Sequence, residues 1–304
     1  MSGQLSIRWI ERMLNKYINN LLKTELVDYV IAADTDSIYL NLSTLVNKWV
    51  PRGQWGDIDT QQKIVDALDK FCSERIEPHI DCCYQILADG VNARDQKMKM
   101  KREAIAVRGV WTGKKHYALS VWDLEGVRYH EPELKIQGIE AVRSSTPAAC
   151  RDSIKTAIKK ILNGSEQELQ EFVSNFRAEF DVLPFDRIAS PRSVSSLEKY
   201  FDKSTIYAKA TPIQVRGALL YNYLIQKHKL IDRQPITDGD KIKFTYLRVP
   251  NPIHEDVIAA PDELPVEFGL EQYIDREKQF EKNFLGPVRS IATAVGYDVE
   301  PVAS

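Results

Sequence analysis

Apolar residues open the chain at helical spacing. Ile10, Met13, Leu14, Tyr17, Ile18 and Leu21 recur every three or four positions, which predicts an amphipathic helix with one buried face. The period then changes. Tyr29-Val30-Ile31-Ala32 is rich in β-formers, and Ile38, Leu40 and Leu42 alternate with Tyr39 and Asn41, as in a strand with one buried side. These two runs predict the arms of a tight hairpin, with Asp34-Thr35-Asp36-Ser37 between them. A second helix is predicted from about Thr60, with Val65, Leu68, Phe71 and Cys72 in register, a break or kink near Glu77-Pro78, and a helical continuation towards Asn92. Residues 103–107, 117–122 and 127–129 look extended, and 123–126 reads as a turn.

The character changes after residue 144. Ser145-Thr146-Pro147 supplies a hydroxyl cap and a proline, starting a helix with Ile154, Ala157, Ile158 and Ile161 on one side, and Asn163-Gly164 ends it. Ser165 with Glu168 forms a capping box ahead of the stripe Leu169, Phe172, Phe176 and Phe180. Residues 185–207 read as irregular and polar, 215–225 as a weak helix, 241–249 as a strand, 250–265 as a proline-rich loop and 270–284 as a last helix. The expected class is α+β, an antiparallel sheet backed by helices in residues 1–144 followed by a mainly helical domain in 145–304. No repeat or low-complexity tract suggests a solenoid or a disordered tail.

Composition adds an ordinary core. The 304 residues are 43% hydrophobic and 28% charged, and length alone favours two domains. No apolar run is long enough for a membrane span, and the first residues lack the blocks of a signal peptide, so cytoplasmic residence is expected. Cys72, Cys82, Cys83 and Cys150 form no C-x-x-C pair and read as reduced packing residues.

Charge is informative only in its distribution. The net charge is -2, but between residues 94 and 115 the eight basic residues Arg94, Lys97, Lys99, Lys101, Arg102, Arg108, Lys114 and Lys115 face only two acidic ones, Asp95 and Glu103, leaving +6. Such a concentrated segment in a near-neutral chain fits contact with a polyanion, with a solvated charged face as the competing reading.

The hairpin tip carries the candidate chemistry. Carboxylates held on a rigid hairpin cannot swing apart, so a divalent cation relieves their repulsion. Mg²⁺ suits the site because it needs only one or two protein carboxylates and completes its octahedron with water and phosphate oxygens. Asp, Thr and Ser are also ordinary turn formers, so residue type alone leaves a solvated turn open. A calcium loop fits poorly, since counting from Asp34 puts Tyr39 where glycine is needed and Leu45 where a bidentate Glu is needed.

With these elements in order, nearly the whole chain resembles the C-terminal part of a family B DNA polymerase of the T-even-like bacteriophage type. The stretch from Tyr29 to Tyr39 resembles the palm motif C of that family, and Trp111-Thr112-Gly113-Lys114-Lys115-His116-Tyr117-Ala118-Leu119 resembles its Lys-Lys-x-Tyr motif. Residues 138–147 resemble the passage from palm to thumb, while 211–217 and 280–285 resemble thumb sequences of phage members.

The resemblance implies template-directed addition of deoxynucleotides to a primer 3′-hydroxyl at two Mg²⁺ ions. Asp36 would be the metal ligand and Asp34 a supporting acid, while Lys114, Lys115, Tyr117 and Arg143 would contact the duplex. For Tyr117 a packed strand position is the competing reading. His116 departs from the arginine usual in phage relatives. Palm motif A, the nucleotide-binding fingers and a proofreading exonuclease have no counterpart here, so the expected partners are primer-template DNA, a deoxynucleoside triphosphate and an N-terminal polymerase chain bearing those parts. Residues 299–304 lack the aromatic tail that binds a sliding clamp, so clamp contact is in doubt. No membrane partner is implied, and a phage-encoded chain would work in the bacterial host cytoplasm. The competing classes are a non-catalytic DNA-holding subunit and an inactive polymerase fragment.

Overall fold

The computed structural model describes every residue except Met1, Glu140, Val142 and 302–304. Two of these fall in the resemblance segment 138–147, and three in the C-terminal stretch 299–304; those parts of the reading lie outside the described residues. The fold is α+β, and its sheets with assigned registers are antiparallel.

Helix α1 (Ser2–Leu22) follows the apolar spacing, with Ile10, Leu14, Ile18 and Leu22 buried. Strands β1 (Val30–Ala33) and β2 (Ile38–Leu40) form the expected hairpin, paired Val30 with Leu40, Ala32 with Tyr39 and Ala33 with Ile38. Ile31 is the extra residue of a bulge, which turns its side chain outward to 47% exposure. Ile38, Leu40 and Leu42 pack on the cluster containing Tyr29, Val30 and the buried face of α1.

Helices α2 (Ser43–Trp49), α3 (Ile58–Phe71) and α4 (Glu77–Gly90) follow. The interruption expected near Glu77-Pro78 is a π-turn over Cys72–Ile76. Pro78 has no N–H to bond the carbonyl four residues back, and the wider turn ahead of it absorbs the mismatch. The same device recurs at Glu281–Leu285, two residues before Pro287.

Strands β3 (Ala104–Gly113), β4 (His116–Leu124) and β5 (Val127–Gln137) form one sheet in that order, each longer than the sequence suggested. β4 is buried from Tyr117 to Asp123, as a central strand should be, whereas β5 carries Pro132 and many charges, as an edge strand tolerates.

The chain forms two compact units, Met1–Gly109 with Leu119–Lys135, and Val110–Ala118 with Ile136–Ser304. The second unit thus takes the β3–β4 turn and begins ahead of the change of character at residue 144. It holds α5 (Ala148–Asn163) and α6 (Glu166–Phe180), the latter behind the Ser165–Glu168 capping box. Then come α7 (Phe185–Ile188), β6 (Ser190–Ser193), α8 (Leu197–Tyr200), β7 (Phe201–Asp202), β8 (Ile206–Tyr207), α9 (Ile213–Lys227), β9 (Lys241–Tyr246), β10 (Val257–Ala260), α10 (Arg276–Phe280) and α11 (Gly286–Thr293). The rings of Phe176, Phe180, Phe280 and Phe284 interlock, the closest pair, Phe176 and Phe284, having centroids 4.7 Å apart. β10-β9-β6 makes an antiparallel sheet against which α9 packs.

Candidate catalytic hairpin and nucleic-acid interface

Polar side chains of α1 set the base of the acidic hairpin. Asn15 Oδ1 accepts the amides of Tyr29 at 2.8 Å and Val30 at 3.0 Å, while its Nδ2 donates to Asp28 at 2.6 Å. One turn on, Asn19 Nδ2 donates to the Val27 carbonyl at 2.7 Å and its Oδ1 accepts the Val27 amide at 3.1 Å. The Tyr29 hydroxyl meets Thr24 Oγ1 at 2.9 Å. The entry strand is therefore fastened before the turn begins.

Residues 34–37 close that turn. The Asp34 amide donates to the Ser37 carbonyl at 2.9 Å, and Asp34 Oδ1 accepts the Thr35 amide at 2.8 Å and the Thr35 hydroxyl at 3.3 Å. Asp34 is half-buried; Asp36 is exposed. One carboxylate is thus oriented by the turn and the other is presented outward. Two hard oxygen donors on a rigid loop fit the limited protein share of a Mg²⁺ shell. Among the described residues no three His, Cys, Asp or Glu groups come together to hold a metal.

The second unit gathers the other predicted residues. β3 and β4 are joined by the two-residue turn Lys114-Lys115, both exposed, with Lys115 in the left-handed region at φ 62°. His116 Nδ1 lies 2.8 Å from the Lys114 carbonyl and His116 Nε2 lies 3.3 Å from Arg143 Nη2, which also donates to the Gly138 carbonyl at 2.9 Å. Tyr117 is only 6% exposed, and its hydroxyl donates to Gln137 Oε1 at 2.6 Å. Lys114, Lys115, His116, Tyr117 and Arg143 therefore form one constellation, with Tyr117 as its buried support and the cations at its surface.

The basic segment is not uniformly available. Arg102 bonds Asp69 at 2.7 Å and also pairs with Asp123, whose side chain is 3% exposed and is held from the other side by Arg128 at 3.1 Å. Arg94, Lys97, Lys99, Lys101 and Arg108 are exposed. Burial alone would raise the Asp123 carboxyl, but hydrogen bonds from Arg102 and Arg128 outweigh it and leave its pKa below the ordinary 3.8.

Both the acidic hairpin and the Lys-Lys turn lie within residues 16–174, just over half of the chain, which match a model of divergent family B DNA polymerases. The chain belongs to the family B DNA polymerases. Across 99% of its length this family B chain is 35% identical to the DNA-directed DNA polymerase of Enterobacteria phage T4 and 37% identical to that of Escherichia phage RB69. It spans 34% of the length of each relative.

Sequence reasoning singled out neither Gln137 nor the two asparagines of α1. Asn15 and Asn19 left no signal of their own: polar residues on an amphipathic helix ordinarily face water, and nothing in their spacing names the backbone groups they bond.

Proposed function

We propose that this chain is the C-terminal part of a DNA-directed DNA polymerase, in which residues 1–144 contribute to the palm and 145–304 form the thumb. A primer 3′-hydroxyl attacks the α-phosphate of a deoxynucleoside triphosphate, forming a phosphodiester bond as pyrophosphate leaves. Asp36 offers its exposed carboxylate to magnesium, and Asp34, oriented by the Thr35 amide, stands beside it. Two bound Mg²⁺ ions would lower the pKa of the hydroxyl and neutralise charge on the triphosphate. Lys114, Lys115 and Arg143 hold the backbone of the duplex without reading bases, as copying any sequence requires. Positioning and charge stabilisation dominate such transfers, so no protein nucleophile is called for.

The opposite carboxylate and a triphosphate-binding lysine come from polypeptide outside these 304 residues. We assign them to a partner chain carrying the exonuclease, the fingers and palm motif A. The observation that carries the reading is the outward Asp36 on a braced hairpin inside the family match.

Primer extension by the complex tests the assignment. Asp36→Asn should lower extension by more than about 100-fold, since even groups that only support a metal ligand are worth 10–100-fold, while duplex affinity is retained. Equal extension would leave a non-catalytic DNA-holding subunit. Purification from the source organism tests the split. A single longer polypeptide containing these residues would overturn it.

A further inference from the structure

The Lys114-Lys115 turn is held in a conformation that its own residues disfavour. A lysine in the left-handed region is sterically disfavoured, so its neighbours must determine it. Gly138, itself at φ 71°, lies so close that a Cβ there would come within 2.2 Å of the Lys115 carbonyl oxygen and 3.0 Å of the His116 ring. Only glycine satisfies both the dihedral and the space.

The second constraint is His116. A guanidinium can only donate, so the 3.3 Å contact from Arg143 Nη2 makes His116 Nε2 an acceptor. The ring proton then sits on Nδ1 and is donated to the Lys114 carbonyl at 2.8 Å. Arg143 closes the circuit through the Gly138 carbonyl at 2.9 Å. His116 thus links the Lys114 backbone to the Arg143 guanidinium.

We infer that His116 and Gly138 are positioning residues, which fix Arg143, Lys114 and Lys115 as one preorganised cationic surface for successive phosphates. Holding three flexible cations before the duplex arrives removes ordering cost from binding. This rests on the reading of the turn as a duplex contact.

The test is a salt titration of binding to a primer-template duplex by the polymerase complex, comparing four variants. Lys114→Ala with Lys115→Ala should weaken binding and reduce the log-log salt slope by about 2, because two phosphate contacts are lost. His116→Asn keeps a donor for the Lys114 carbonyl but loses the Arg143 contact, and should weaken binding about five-fold, one hydrogen bond's worth, with the slope unchanged. His116→Gln, whose amide oxygen can still accept from Arg143, should recover most of that loss. Gly138→Ala should weaken binding at least as much as His116→Asn; if it fails to fold, the two His116 variants carry the test.

An unaffected double lysine variant would remove the duplex reading and this inference with it. If the lysine variant is impaired but His116→Asn binds normally, only the positioning role fails. A slope that falls with His116→Asn, or equal impairment of the Asn and Gln variants, would also overturn the role.

Discussion

Asn15 receives the backbone amide of Tyr29 at 2.8 Å, and the same oxygen takes the next amide, that of Val30, at 3.0 Å. A single helix side chain thereby fixes where the acidic hairpin starts. Both donor residues are buried, at 2% and 5% exposure, so water cannot readily replace the lost acceptor. Asn15→Ala should destabilise the chain by about 1–3 kcal/mol, the penalty for leaving buried donors unmatched. In a urea titration the midpoint should fall with the slope unchanged. An unmoved midpoint would make the joint dispensable.

Asp123 gives the first unit an acid-sensitive fastening. Its carboxylate is buried between Arg102 and Arg128, and its folded pKa is depressed. A depressed acid stabilises the fold above its unfolded value, near 3.8, and that contribution is lost as pH falls through the lower folded value. Asp123→Asn should cost about 1.5–3 kcal/mol at neutral pH, because Arg102 and Arg128 lose a charged hydrogen-bond partner while keeping Asp69 and Asp66. The gap between wild type and variant should narrow in urea titrations at pH 3 compared with pH 7. A gap independent of pH would assign the stabilisation to packing.

Local patterning made much of this architecture legible. The α1 stripe, the alternation of Ile38, Leu40 and Leu42, and the Ser165–Glu168 box each appear as predicted, because each is set by neighbours within one turn or one strand. β10 was hidden in a stretch that reads as loop, since a four-residue run, Val257–Ala260, has no room to display a period and its burial depends on α9 and β9. The helical continuation to Thr293 was hidden by Gly286 and Pro287, which the π-turn accommodates. At the site, residue types suggested Asp34, Asp36, Lys114 and Lys115. Their bracing by Asn15, Gln137 and Gly138 was not legible, because partners 14 to 23 positions away leave no spacing to read.

Gly217 sits where helix propensity and packing oppose one another. Replacing a mid-helix glycine with alanine ordinarily stabilises by about 1 kcal/mol. Here the new methyl would lie 3.0 Å from the Ala259 amide nitrogen and 3.2 Å from the Ile258 carbonyl carbon. Those atoms belong to the backbone of β10, which is fully buried and bonded to β9, so they cannot yield as a side-chain tip would. Overpacking of this kind costs about 1–3 kcal/mol. Gly217→Ala should therefore lower the thermal midpoint slightly despite its better propensity, and a raised midpoint would mean that β10 shifts freely.

The four thiols should separate cleanly by reactivity. Burial pushes Cys72 up to about 11 and Cys150 up to about 12, and burial with the neighbouring Cys82 also raises Cys83. Only Cys82 is exposed. The nucleophile is the thiolate, so at pH 8 Cys72 presents roughly a thousandth of its population in reactive form. Titration with a chromogenic disulfide at that pH should give one fast equivalent, abolished by Cys82→Ser, and the rest only on denaturation. Because the buried thiols are raised in the fold, their contribution is complete below the unfolded value near 9 and is lost as pH climbs towards 11 and 12. Unfolding free energy should decline across that alkaline window, and Cys150→Ala should flatten the decline. If two thiols react rapidly in the native protein, a second cysteine is reached by opening of the fold rather than by surface exposure.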